Sequence, residues 1–263
     1  MIRTVTATQY LTPLREGGSL PGIVEADDLG TYVLKFRGAG QGPKALIAEL
    51  VGGEVARRLG LPVPEIVFVE LDPVLGRSEP DFEIQALIQS SAGLNLALDY
   101  LPGALPFDSL LAPPPDAELA SRIVWFDSYV TNVDRTPRNT NMLLWHRRLW
   151  LIDHGAGLYF HHARPWGDYL ARSRTRFPQI REHVLLPLAR AVPQAAADAR
   201  SRLTADTLQR IVALIPESWL DPEEAGFTST EEQREAYAEY LLARLDASDA
   251  FVEEIQDARA QLV

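Results

Sequence analysis

The amino-acid sequence predicts an α+β protein with two unequal lobes. The smaller, N-terminal lobe is β-rich, antiparallel and contains one helix, and the larger, C-terminal lobe is mostly helical. Runs of β-branched residues fill the first third of the chain, a proline-rich segment lies at residues 112–116, and a helical period dominates from residue 166 onward. We place the lobe boundary at the proline-rich segment, so that the lobes are residues 1–111 and 112–263.

The N-terminal lobe is predicted to follow the order β-β-β-α-β-β. Its helix is predicted at residues 45–59, because apolar residues recur there at helical spacing from Leu46 to Leu59 and Gly60 follows at once. Short apolar or alternating runs bounded by turn residues predict the strands, at residues 4–14, 23–26, 31–36, 66–71 and 83–88.

The C-terminal lobe is predicted to begin with a helix at residues 117–132. Two short strands follow, joined by a basic turn at residues 146–148. The helical period then predicts several helices, of which the last contains breaks. The predicted strands are residues 141–145 and 149–152, and the predicted helices are residues 180–191, 195–200, 204–214 and 230–262.

The composition excludes several classes of protein. Of the 263 residues, 46% are hydrophobic and 23% are charged, which is ordinary for a folded globular chain and excludes a disordered or collagen-like one. The chain has no cysteine, which excludes disulfides, thiolate metal sites and a cysteine nucleophile. Because no apolar run is long enough to cross a bilayer and the N-terminus lacks an apolar signal region, we expect a soluble cytoplasmic protein without a membrane span.

The charge is unevenly distributed along the chain. The net charge is −11, and residues 216–257 hold 13 acidic residues against two arginines, whereas residues 135–181 hold nine arginines against two aspartates. An acidic segment beside an arginine-rich one argues against direct nucleic-acid binding, which favours a broad basic surface. It is compatible with a basic cleft for an anionic ligand. The acidic C-terminal helices are either a solvated face or a docking surface for a protein partner.

The strongest chemical pattern combines Asp134, Asn139 and Asp153. Asp134 and Asn139 lie in a loop between a predicted helix and a predicted strand, and Asp153 follows the next strand. This order of residues is used for phosphoryl transfer from ATP. Mg²⁺ prefers hard oxygen ligands and bridges the phosphates to the protein, which suits Asn139 and Asp153. Asp134 is then free to orient the attacking hydroxyl.

Such a site also needs a cation for the α- and β-phosphates. Lys35, on the third predicted strand, is one of only two lysines in a chain with 23 arginines. The following helix offers two partners for it, Glu49, which we favour, and Glu54. A glycine-rich turn at residues 17–22 precedes the lysine strand and contains Ser19; its backbone N–H groups would cover the phosphates.

These motifs resemble the HipA-like kinases, and most closely their short, single-domain branch. The resemblance is carried by Gly18-Ser19-Leu20-Pro21, Thr31-Tyr32-Val33-Leu34-Lys35-Phe36, Leu59-Gly60-Leu61-Pro62-Val63-Pro64-Glu65, Asp134-Arg135-Thr136-Pro137-Arg138-Asn139 and Leu151-Ile152-Asp153-His154-Gly155. The Asp-Arg-x-x-x-Asn run is also similar to phosphatidylinositol 3/4-kinase catalytic loops. The resemblance covers residues 10–160, and its departures are the absent N-terminal subdomain of longer toxin members and Asp-His-Gly in place of Asp-Phe-Gly.

The resemblance implies a bilobal protein-kinase-like fold, ATP with Mg²⁺, and transfer to a serine or threonine hydroxyl, favouring a protein acceptor. It implies that Asp134 is the catalytic base, that Asn139 and Asp153 hold the metal, and that Lys35 binds phosphate. Gln89 and Ser91, after the strand at residues 83–88, are expected at the adenine hinge. Two alternatives stay open: a small-molecule or lipid-headgroup kinase, and a nucleotide-binding pseudokinase that acts as an interaction module.

Overall fold

In the computed structural model, which describes residues 2–14, 20–110 and 113–262, five N-terminal strands close into a barrel. The barrel order is β1-β2-β3-β5-β4, and its neighbours are antiparallel except β1 and β4, which pair in parallel with Val5 opposite Val69. The strands are β1 (Thr4–Pro13), β2 (Gly22–Ala26), β3 (Thr31–Lys35), β4 (Ile66–Leu71) and β5 (Gly93–Asp99). Closure leaves β1 and β4 without an open edge.

Two helices accompany the barrel. Helix α1 (Pro43–Arg58) lies between β3 and β4, and helix α2 (Phe82–Ser90) follows a 3-10 turn at Pro73–Ser78. Helix α1 begins with a proline, whose fixed φ and missing N–H are favourable in the first turn of a helix. Two arginines in its last turn interact favourably with the negative end of the helix dipole. Its buried side chains belong to the large core of the helical part, so α1 connects the barrel to the rest of the molecule.

The helical part begins with α3 (Ala117–Val130), which is capped by the Asp116 side chain and ends at Thr131 in the left-handed conformation. A small sheet of β6 (Leu105–Pro106), β7 (Met142–Trp145) and β8 (Arg148–Leu151) lies beside it. The remaining helices are α4 (Tyr169–Ser173), α5 (Val192–Arg202), α6 (Ala205–Val212), α7 (Pro222–Ala225), α8 (Thr230–Asp246) and α9 (Ser248–Ala260). Most of the predicted elements are therefore confirmed.

One strand prediction in the barrel was wrong. Residues 83–88 lie in helix α2, and the fifth strand is β5, which we did not predict. Ile84 and Ile88 are the buried residues of α2, and their four-residue spacing is helical. The Asp81 carboxylate caps the helix by accepting the Glu83 N–H. The leucines, alanine and asparagine of β5 have weak strand propensity, which hides it in the sequence.

The helix predicted at residues 180–191 was also wrong. The chain forms two 3-10 turns there, at Pro178–Glu182 and Leu186–Leu188. Pro187 has no N–H to donate and its ring clashes with a preceding helical carbonyl, so a continuous α-helix cannot pass through it. The long C-terminal prediction is confirmed as two helices, α8 and α9, which meet at Ala247.

Candidate active site

Lys35 is held between two carboxylates that come from distant parts of the chain. Its Nζ donates hydrogen bonds to Glu49 Oε2 on α1 at 3.1 Å and to Asp153 Oδ1, just after β8, at 2.6 Å. Glu54 instead pairs with Arg57 within α1. Of the two glutamates considered from the sequence, Glu49 is thus the one that contacts Lys35.

Lys35 and Glu49 are both charged in this arrangement. Burial of the ammonium group lowers its pKa, but the charges of Glu49 and Asp153 outweigh burial and raise the pKa of Lys35 above its ordinary value. Burial raises the pKa of Glu49, but the charge of Lys35 and a hydrogen bond from His154 lower it below its usual range. The Lys35 ammonium group is therefore a positive charge held in a fixed position by its carboxylate partners.

Asp134 is held in its loop by the side-chain amides of two asparagines. Asn139 Nδ2 donates to Asp134 Oδ2 at 2.8 Å, and Asn141 Nδ2 donates to the same oxygen at 3.1 Å and to the Asp134 carbonyl at 3.0 Å. Asn141 adopts a positive φ of 47°, which asparagine tolerates better than most residues. Among the described residues no group binds Asp134 Oδ1, so this oxygen is available to a substrate hydroxyl.

A buried ionic network lies beneath this loop. Asp127, on α3, accepts hydrogen bonds from Arg135 Nε at 2.6 Å, from Asn132 Nδ2 at 2.9 Å and from His183 Nε2 at 2.9 Å. The side chains of Asp127 and Arg135 are completely shielded from solvent. Burial raises the pKa of Asp127, but Arg135 and the His183 hydrogen bond lower it well below its usual range. The loop is therefore anchored from inside the protein.

Arg135 also joins the two groups of site residues. Its Nη1 donates to the carbonyl of Asn141 and, at 3.4 Å, to the carbonyl of Ile152, the residue before Asp153. The N–H of Ile152 donates to the same Asn141 carbonyl at 3.1 Å. The loop that carries Asp134 and the strand end that carries Asp153 therefore share one buried backbone junction.

The structure corrects the expected position of the hinge residues. Gln89 is exposed at the end of α2, and Ser91 is buried, where its Oγ accepts the Gly38 N–H at 3.0 Å. Both lie before β5 instead of after it, because the strand that was to place them is a helix. The segment that follows β5 is residues 100–104. Ser19 lies outside the described residues.

Several residues of the site were not singled out from the sequence. Asp127 entered no motif, and Asn132, Arg135 and Asn141 lay within or beside the Asp134–Asn139 motif without an assigned role. The signal that was present is the concentration of Asn and Asp residues, at 132, 134, 139 and 141, in one short loop. It does not show which of them lie in the interior.

Several arginines of the arginine-rich segment, residues 135–181, are paired with carboxylates and are therefore not available to line a basic cleft. Four of its nine arginines pair with carboxylates, and three of these pairings reach the acidic C-terminal segment. The pairs are Arg135 with Asp127, Arg164 with Glu224, Arg176 with Glu253, Glu254 and Asp257, and Arg181 with Glu254. The two charge-biased segments thus partly neutralise each other.

The donor atoms at Asn139 and Asp153 fit a hard divalent cation. The Asn139 amide nitrogen donates to Asp134, which leaves its carbonyl oxygen free among the described residues, and Asp153 has a 40% exposed side chain with one oxygen bound to Lys35. Mg²⁺ is commonly held by one or two such oxygens together with substrate phosphates and water. No cluster of three or more His, Cys, Asp or Glu side chains suited to a metal occurs in the described part of the chain.

A model of the HipA-like kinase family matches residues 8–255. The chain belongs to the HipA-like kinase family. The match includes both groups of site residues, so the protein is a kinase, a protein-kinase-like phosphotransferase. A search of curated protein sequences gave no match.

Two solved kinases share the fold of this HipA-like kinase. The Helicobacter pylori proinflammatory kinase CtkA superposes with a TM-score of 0.53 at 12% identity, covering 99% of both chains. The Golgi casein kinase with Mn and ADP bound has a TM-score of 0.53 at 9% identity, covering 99% of this chain and 76% of that one. Kinase relatives imply ATP and a divalent metal. Among the described residues no helix has the length and apolarity that a membrane crossing requires.

Proposed function

We propose that this HipA-like kinase transfers the γ-phosphoryl group of ATP, with Mg²⁺, to a serine or threonine hydroxyl of a protein. The observation that carries the proposal is the position of the Lys35 ammonium group, 3.1 Å from Glu49 and 2.6 Å from Asp153. A strand lysine held by a helix glutamate beside a metal-binding aspartate is the arrangement that protein kinases use to fix ATP phosphates.

Lys35 binds the α- and β-phosphates in this proposal. Its raised pKa keeps it positively charged, and Glu49 restricts the movement of its flexible side chain. The positive charge is therefore in place before the nucleotide arrives, which lowers the cost of reorganisation during the reaction.

Asp134 orients the acceptor and receives its proton. The hydroxyl oxygen attacks the γ-phosphorus, the new phosphorus–oxygen bond forms, and the bond from the γ-phosphorus to the bridging oxygen of ADP breaks. The hydroxyl proton passes to Asp134 Oδ1, because Oδ2 already accepts the amides of Asn139 and Asn141. The asparagines thus decide which oxygen faces the acceptor.

Asn139 Oδ1 and the second oxygen of Asp153 would hold the metal ion, which when bound neutralises charge on the phosphates. Asn139 contacts the base through its nitrogen and leaves its oxygen for the metal, so one side chain serves both groups. Residues 100–104, directly after β5, replace Gln89 and Ser91 as the proposed hinge for the adenine base.

A protein acceptor is favoured by the exposure of the loop. Asn139 and the neighbouring Val133 are exposed, and Asp134 is half-buried, so a bulky acceptor can approach the base from solvent.

The test uses γ-labelled ATP with Mg²⁺, and Mn²⁺ in parallel, and a panel of serine and threonine peptides. Asp134→Asn should lower phosphate transfer by about 10²- to 10⁴-fold while nucleotide binding persists, because only the proton acceptor is lost. Asp206→Asn is the matched control, since Asp206 is exposed on α6 and pairs only with Arg210 among the described residues.

Transfer that is unchanged in Asp134→Asn would contradict the assignment of the base. Label that accumulates on small molecules and never on peptides would contradict the protein-kinase part of the proposal. Nucleotide binding without turnover for every acceptor would favour the pseudokinase.

A further inference from the structure

His154 contacts both oxygens of the Glu49 carboxylate. Its backbone N–H donates to Glu49 Oε2 at 2.8 Å, and its ring Nδ1 lies 3.3 Å from Glu49 Oε1. Glu49 Oε2 is the oxygen that also accepts the Lys35 ammonium group. His154, the residue after Asp153, therefore contacts Glu49, which is the hydrogen-bond partner of Lys35.

The ring nitrogen Nδ1 must be the donor in this contact. Glu49 Oε2 accepts both the Lys35 ammonium group and the His154 N–H, which stabilise the ionised carboxylate, and an ionised carboxylate only accepts hydrogen bonds. The hydrogen therefore lies on Nδ1. Any residue except proline would supply the backbone N–H at position 154, so the contribution specific to histidine is the second donor, to Oε1.

The ring's surroundings do not otherwise explain a histidine. The ring is completely buried and packs edge-on against Phe126 at a centroid distance of 5.6 Å. Gly52 of α1 lies so close that a Cβ there would be 3.0 Å from the His154 Cβ. The other ring nitrogen, Nε2, is buried without a hydrogen-bond partner among the described residues, which costs stability.

A phenylalanine would keep a flat ring against Phe126 and have no unpaired nitrogen. Packing alone therefore favours phenylalanine at this position, and the contact with Glu49 favours histidine. We infer that His154 is a positioning residue that fixes the Glu49 carboxylate through Nδ1, so that Oε2 faces Lys35 and the ammonium group is aligned for the ATP phosphates. The expected effect on catalysis rests on the proposed function, whereas the contact between His154 and Glu49 is independent of it.

Two substitutions separate the donor from the packing. His154→Phe keeps the ring and loses the donor, whereas His154→Asn keeps a donor near the position of Nδ1 and loses most of the ring. We expect His154→Phe to lower kcat/KM for ATP about ten-fold, with KM for the acceptor unchanged, and His154→Asn to retain most of the activity.

Stability should follow the opposite order. His154→Phe should stay close to the native protein in urea unfolding, because removal of the unpaired Nε2 offsets the lost donor. His154→Asn should unfold more readily, because it leaves a cavity. His146→Asn is the control and should change neither property, because His146 lies in the exposed turn between β7 and β8 at a positive φ of 47°, which asparagine tolerates. Activity that instead follows stability, with His154→Phe near native and His154→Asn impaired, would overturn the inference.

A double-mutant cycle tests the contact without any turnover. The effect of His154→Phe on the unfolding equilibrium constant should differ about ten-fold between Glu49 and Glu49→Gln backgrounds. Equal effects in both backgrounds would overturn the inference. If the native protein transfers no phosphate, the proposed function fails, and this cycle still decides whether His154 holds Glu49.

Discussion

The two halves of the candidate active site are stabilised in different ways. The loop half, with Asp134, Asn139 and Asn141, lies on a buried ionic network centred on Asp127 and Arg135, most of it within one short stretch of chain. The lysine half joins β3, α1 and the end of β8, and its Lys35 and Asp153 are separated by 118 positions. The loop half is thus local, whereas the lysine half exists only when the barrel packs on the helical part.

Because of this difference, we expect substitutions in the two halves to have different effects. Substitutions beneath the loop should mainly affect folding, because they leave buried charges without partners. Substitutions at Lys35 should affect chemistry most, because the side chains of Lys35 and Asp153 are 12% and 40% exposed and Glu49 keeps its contacts with His154. Lys44 of α1 pairs with Glu224 of α7 at 2.6 Å and so holds α1 on the helical part. Trp219 links the helical part to the barrel, because its Nε1 donates to the Leu94 carbonyl at 3.1 Å.

The largest effect is expected at Arg135. Arg135→Met leaves the fully buried Asp127 without its charged partner and should lower the free energy of unfolding by about 3–5 kcal/mol. Arg138→Met, three residues along the same loop and exposed, should change it by less than about 0.5 kcal/mol. Urea denaturation of both variants measures the difference, and equal small effects would show that the loop does not depend on the network.

Lys35 should show the reverse pattern. Lys35→Met should lower kcat by about 10²- to 10³-fold, because a preorganised positive charge is removed from the phosphates. The chain's other lysine provides the matched control: Lys44→Met removes an ion pair with Glu224 outside the site and should stay near native turnover. Steady-state kinetics at saturating ATP compare the two. Equal losses in both variants would indicate that support of α1, and not contact with phosphate, is what Lys35 contributes.

A smaller effect is expected from pH on the loop half. Burial and the charge of Arg135 lower the pKa of His183, whereas Asp127 raises it. Burial is the largest of these effects, so the pKa lies below its ordinary value. The Leu185 N–H donates to His183 Nδ1 at 3.0 Å, which protonation would prevent. Because the pKa is lower in the folded state, this contribution to stability is complete above about pH 6.5 and is lost as the pH falls through the folded pKa.

The slope should be at most about 1.4 kcal/mol per pH unit for this one proton. His183→Gln keeps a donor for Asp127 and removes the titration, so it should flatten the fall in unfolding free energy between about pH 6.5 and 5. His161, whose pKa burial also lowers, retains its own share of the fall. His146→Gln is the control, and a slope unchanged by His183→Gln would contradict the assignment.

The sequence allowed the local parts of this structure to be predicted better than the tertiary ones. The barrel strands β1 to β4 and helix α1 follow from alternation and helical spacing. The assignment of Asp134, Asn139 and Asp153 to the site comes from their order along the chain and stays a prediction. Helix α2 and strand β5 were exchanged because a short apolar run fits either element. That exchange displaced the expected hinge.

The buried network could not be read from spacing. Arg135 is one of nine arginines in its segment, and only the folded structure shows that it points into the core and meets Asp127. The same limit applies to His154. Its contact with Glu49 depends on how closely helix α1 packs against residue 154, which Gly52 permits because it has no side chain. Residue types indicated the chemistry, whereas contacts between distant elements decided which residues support it.

The central claim is that Asp153 binds the metal while Asp134 acts on the acceptor. The affinity for ATP, measured by calorimetry with and without Mg²⁺, tests it most directly in the native protein, Asp134→Asn and Asp153→Asn. We predict that Mg²⁺ strengthens ATP binding in the native protein and in Asp134→Asn but not in Asp153→Asn. An Asp153→Asn variant that responds to Mg²⁺ as strongly as the native protein would contradict the account.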